Sequence, residues 1–157
     1  MKTTREAARE ENHKDITHSL QDLLEKNYET EKIYRTASDR AENTSLKDFF
    51  KKQAVSKNHF ATEIDKQLHA LNERPKEPDS TMGGVKKTWI NLKTSMGKNA
   101  DEVLLKECLS GEKNSAEEYE DELKKVNFPA NIDEMLNSHL AEIRSTITQI
   151  RSLEDLL

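Results

Sequence analysis

The sequence predicts an all-α fold, a four-helix bundle with one long crossover between its second and third helices. Three observations carry this. Four segments of similar length each place their apolar residues on one stripe at the 100° per residue of an α-helix. Only 4 Gly and 3 Pro occur in 157 residues, too few turn formers for a sandwich or barrel of short strands. The first and last pairs of segments are joined by short links, whereas about 25 residues separate the second segment from the third.

Residues 1–14 are almost wholly polar and read as an arm, frayed or helical, ahead of a bundle filling 15–157. The first helix, near 15–42, carries Ile16, Leu20, Leu23, Leu24, Tyr34 and Ala41 on its stripe, with Asp15 or Thr17 able to cap it. The second, near 45–73, follows a cap at Thr44 or Ser45. It aligns Leu46, Phe49, Phe50, Phe60, Ala61, Ile64, Leu68 and Leu71, and stops before Pro75, because a residue preceding proline disfavours the helical region.

Residues 74–98 form the crossover. They open with RPKEPDS and hold Gly83, Gly84 and Gly97. Between the glycines Val85, Trp89, Leu92 and Met96 recur at helical spacing, a short amphipathic helix with the only Trp as its packing anchor. The third helix, near 100–127, turns Leu104, Leu105, Cys108, Ala116, Tyr119, Leu123 and Val126 inward. After the tight link Phe128-Pro129-Ala130, the fourth, near 131–155, turns in Ile132, Met135, Leu136, Leu140, Ile143, Ile147, Ile150 and Leu153. Short links make antiparallel hairpins; a crossover running the bundle length makes the second and third helices parallel.

Composition narrows the function. With 33% hydrophobic and 35% charged residues and a mean hydropathy of −0.95, only periodic placement of the apolar residues gives a core. No run of 18 apolar residues could cross a membrane, and the opening MKTTREAAREENHK lacks the apolar region of a signal peptide. A cytoplasmic protein is expected. One Cys excludes an intrachain disulfide and a Cys-rich zinc site. A net charge of −5, with both signs interspersed, argues against a nucleic-acid partner. A homodimer is compatible with the pattern, and any protein partner is left open.

The informative residues are polar ones on apolar stripes. Asn27 and Glu31 lie about 20° either side of the first stripe's centre, and Gln53 and Lys57 do the same on the second. Glu112 is central on the third, and His139 lines up with Ile132, Ile143 and Ile150 on the fourth. With the crossover, Glu31 and Glu112 both lie about 12 residues, roughly 18 Å, from the same end of the bundle. Gln53, Ser56, Lys57, Thr146 and Ile147 reach a similar height, and Asn27, Tyr119 and His139 form a neighbouring layer.

Two inward carboxylates are part of a di-iron site, which also needs two Glu-x-x-His pairs. Glu10-Glu11-Asn12-His13 has that spacing but lies in the arm; His59 follows Ser56, and His139 follows Leu136. Glu31 and Glu112 are therefore the candidate metal ligands, for iron or another divalent metal, while no cofactor is required and no catalytic residue is assigned. The structural alternative is a polar layer in which Lys57, facing Glu31 across the first hairpin, neutralises a carboxylate. Cys108 reads as a small core residue, and Glu117 to Glu122 as a solvated face. Gly-rich phosphate loops, nucleophile elbows and Ser-His-Asp spacings are absent.

Over roughly 16–155 the chain resembles bacterial ferritin-like four-helix-bundle proteins classed as a domain of unknown function, akin to ferritin-like stress proteins. The resemblance rests on Leu20-x-x-Leu23-Leu24, Glu31-x-x-Tyr34-Arg35-Thr36-Ala37, Phe60-Ala61-x-Glu63, Trp89-x-x-Leu92-Lys93, Glu107-Cys108-x-x-Gly111-Glu112, Tyr119 and Ile150-Arg151-x-Leu153. It implies a ferritin-like bundle enclosing Glu31 and Glu112. Relatives often carry Glu where Ser56 stands and His near Ile147, so this chain lacks two of their metal ligands. The leading expectation is a non-catalytic, stress-linked bundle with a degenerate di-metal site. The alternatives are an oxygen-, peroxide- or iron-handling protein using Glu31 and Glu112, and a helical interaction module.

Overall fold

The computed structural model describes residues 3–75 and 100–157. They form four helices: α1 (Thr4–Arg40), α2 (Thr44–Ala70), α3 (Ala100–Lys125) and α4 (Ala130–Asp155). No strand occurs among the described residues. The amphipathic segment around Trp89 lies outside them.

Local chemistry moves three helix ends from their expected positions. α1 begins at Thr4, not near 15, because Thr3 and Glu6 make a capping box: Glu6 N–H donates to Thr3 Oγ1, and Thr3 N–H to Glu6 Oε2. The polar arm is thus the exposed first third of a 37-residue helix. α2 is capped by Asn43, whose Oδ1 accepts from Leu46 N–H at 3.1 Å. It ends at Ala70, before the proline can act, because Asn72 turns left-handed at φ 61°. Glu73 N–H then reaches Leu68 C=O and Asn72 N–H reaches His69 C=O, a Schellman closure with Asn in the usual Gly position.

Contacts at both ends fix the helix directions. Asp101, in the first turn of α3, accepts from the backbone N–H groups of Glu42 and Asn43 at 2.8 and 3.0 Å. α3 therefore starts beside the α1–α2 turn. At the opposite end Asn131 of α4 meets Gln67 of α2. Hence α2 and α3 run one way, and α1 and α4 the other. α1 packs mainly on α2 and α3, and α3 on α4. α2 and α4 are linked through side-chain bridges: Gln67–Asn131, Glu63–His139, Ser56–Glu142 and Gln53–Thr146.

The buried rows repeat every seven residues, the period of helices that supercoil around one another. They read Leu20-Asn27-Tyr34 on α1 and on to Ala41 at its C-cap, Phe50-Lys57-Ile64 on α2, Leu105-Glu112-Tyr119 on α3 and on to Val126 just past its end, and Ile132-His139-Thr146 on α4. Each row is interrupted by polar side chains near its middle. The core accordingly forms two apolar clusters, one around Leu20, Ile64, Leu136 and Phe128, the other around Phe50, Ala37, Leu105 and Ile150. Burying each large side chain contributes about 1.5–3 kcal/mol, and the polar layer lies between the two.

Candidate functional site

The layer is built around Glu112. α3 buries this side chain completely, and α2 brings Lys57, only 2% exposed, against it. Lys57 Nζ lies 2.9 Å from Oε1 and 3.0 Å from Oε2. The Tyr34 hydroxyl on α1 donates to Oε1 at 2.6 Å. One carboxylate and one ammonium cancel in charge, and both carboxylate oxygens are satisfied, the condition under which a buried pair is tolerated. The ammonium also lies 5.1 Å from the centre of the Phe60 ring, whose face attracts a cation.

A second chain of hydrogen bonds crosses the layer towards the other apolar cluster. Asn27 Nδ2 on α1 donates to its own helix at Leu23 C=O and to the Tyr119 hydroxyl on α3, both at 2.8 Å. Tyr119 meets His139 Nδ1 on α4 at 2.9 Å, and His139 Nε2 meets Glu63 Oε1 on α2 at 3.0 Å. The imidazole is stacked on Phe60, with ring centres 4.1 Å apart. Thr30 and Ser115 lie 3.3 Å apart, adding an α1–α3 contact.

Burial sets the proton chemistry. It pushes the Tyr34 phenol well above its ordinary range, reinforced by the Glu112 charge, and raises Tyr119 despite the Asn27 hydrogen bond. It likewise raises the Cys108 thiol, with Glu112 and Glu107 adding to the effect, so the cysteine is an inert core residue. For His139 burial lowers the value, opposed by Glu63.

Glu31 lies elsewhere. Its side chain is 12% exposed and sits at the α1–α2 groove, accepting from Arg35 Nε at 2.7 Å and Asn58 Nδ2 at 2.9 Å. The lysine expected opposite Glu31 instead pairs with Glu112, a correction with a clear cause. On a straight helix Glu31 falls near the stripe's centre, but on a seven-residue repeat Thr30 takes the inner position and Glu31 moves to the flank. Asn27, Tyr119 and His139 do come together. Two roles escaped the sequence reading: Glu63 as the outer partner of His139, and the Tyr34 hydroxyl as a donor inside an apolar row. The Glu63 side chain faces His139 from a neighbouring helix, so only the packing reveals it.

Among the described residues no three His, Cys, Asp or Glu side chains converge as a metal-holding group. No described helix is long and apolar enough to cross a membrane. Fold and site together define a four-helix bundle with an internal carboxylate–ammonium pair. Residues 15–125 match the family described as a domain of unknown function (DUF2383), and the chain belongs to that family. No curated protein matches it.

Proposed function

We propose that this protein is a non-catalytic, ferritin-like bundle in which Lys57 takes the place of a metal cation. The observation that carries this is the Lys57 ammonium within 3.0 Å of both oxygens of a fully buried Glu112. Metal in a ferritin-like bundle serves to neutralise inward carboxylates; here the single buried carboxylate of the layer's centre already has a cation and a hydroxyl donor. The donor set fits iron poorly. Glu31 would have to leave Arg35 and Asn58, and the Glu-x-x-His spacing at Glu10 and His13 lies in the exposed start of α1, with His13 against Glu73 rather than in the layer. The parallel course of α2 and α3 supports the ferritin-like topology. In this reading the protein is cytoplasmic, binds neither nucleic acid nor membrane, and acts through its surface. A link to stress rests on the family resemblance alone.

Metal analysis of protein purified without chelator, after iron addition in air, tests the reading. The expected result is no stoichiometric iron. A pair of irons per chain with an oxo-bridge absorption band overturns it in favour of oxygen, peroxide or iron handling through Glu31 and Glu112.

A further inference from the structure

The hydrogen-bond chain beside the charge pair has only one consistent direction. Leu23 C=O requires a donor, so the Asn27 atom against it is the amide nitrogen, and that nitrogen's second proton goes to the Tyr119 oxygen. The Tyr119 proton must then go to His139 Nδ1, which must present a lone pair. The imidazole proton is therefore on Nε2, donated to Glu63 Oε1. One directed chain thus links α1, α3, α4 and α2, from a buried carbonyl to a carboxylate that is 38% exposed.

We propose that this chain is a proton-sensitive clasp, in which protonating His139 transfers the hold on α4 from Tyr119 to Glu63. A proton added at Nδ1 faces the Tyr119 hydroxyl, which already accepts from Asn27. That hydroxyl can accept again, but its own proton loses its acceptor in a buried site. Meanwhile the imidazolium strengthens its bond to Glu63. The α4–α2 grip tightens while the α4–α3–α1 grip loosens.

The charged and titratable groups around His139 are Glu63 and Lys57 from α2, with His59 of the same helix 3.4 Å from the Glu63 oxygen, Glu142 from its own helix, and the Tyr119 phenol from α3; α1 contributes the neutral Asn27. Burial and Lys57 oppose the added proton, Glu63 and Glu142 favour it, and the balance falls below the ordinary value of 6.5. The unfolded chain therefore takes up this proton first, and stability declines as pH falls below 6.5.

Long-range ¹⁵N–¹H correlation spectra of the full chain at neutral pH are expected to show the His139 proton on Nε2. Tyr119→Phe removes the donor that favours neutral imidazole, so the His139 titration midpoint should rise. Urea melts should show wild-type unfolding constants increasing by up to about tenfold per pH unit in the acid range from this one proton, a component reduced in Tyr119→Phe and absent in His139→Phe. The melts are compared in a His59→Gln background, because His59 lies 3.4 Å from the same Glu63 oxygen; the other histidines are common to these variants and cancel in the comparison. Should Tyr119→Phe fail to fold, the wild-type tautomer decides. A proton on Nδ1, or a midpoint and acid response unmoved by Tyr119→Phe, overturns the proposal.

Discussion

Glu31 and Glu112 have the same sequence credentials and opposite environments. Both follow helical spacing from apolar neighbours and lie about 12 residues from one end of the bundle. Yet Glu112 is fully buried against Lys57 and Tyr34, whereas Glu31 lies in a groove with Arg35, itself 57% exposed, and Asn58. The difference teaches that helical phase alone does not locate a carboxylate. Supercoiling shifts the flank of a stripe, and a facing residue completes or cancels the charge.

The largest expected effect tests the buried member. Glu112→Leu leaves the Lys57 ammonium enclosed without its counter-ion, and should cost about 3–5 kcal/mol in urea-melt stability. A loss no greater than that of a surface substitution would break the contrast. The double change Glu112→Leu with Lys57→Met makes both partners apolar. It should recover most of that loss, and a double-mutant cycle should report strong coupling between the two positions.

Alkaline titration sharpens the same comparison through the tyrosines. Tyr34, beside Glu112, is held well above 10.0, and Tyr119 is raised too; Tyr28 is raised by burial, then by Asp65 and Glu31. Unfolded tyrosines ionise near 10.0 and release protons that the enclosed Tyr34 and Tyr119 phenols retain, so stability is intact below that pH and falls as pH rises above it, by about 1.4 kcal/mol per unit for each of these two. Tyrosinate absorbance should therefore show Tyr28 first, above pH 10, with Tyr34 and Tyr119 appearing only on unfolding. A buried tyrosine ionising in the folded state near pH 10 would contradict the enclosed layer. The smallest effect belongs to Glu31→Gln, which weakens one semi-exposed pair and should change stability by about 0.5 kcal/mol. A loss comparable to that of Glu112→Leu would show the two sites to be alike after all.

Much of the fold was legible because it depends on periodic burial. Leu20, Phe50, Leu105 and Ile132 are where their spacing puts them, and the scarcity of Gly and Pro foretold that the described residues hold helices and no strand. The boundaries were less legible. Thr3 and Glu6 carry α1 into a segment with no apolar stripe to announce it, and Asn72 ends α2 by adopting a conformation more often left to glycine. These are local choices among caps, each worth about 1 kcal/mol, and several residues nearby could have served.

By itself, then, the sequence determined the four described helices, their apolar faces and the presence of polar residues among them, since amphipathic period and turn chemistry are written along the chain. The tertiary structure decided the partners. Whether Lys57 answers Glu31 or Glu112, and whether His139 finds Glu63, depends on how four supercoiled surfaces are rotated against one another. Rotating a helix by a few tens of degrees exchanges one side chain for its neighbour at the interface. In a low-dielectric interior that exchange decides whether a charge is paired.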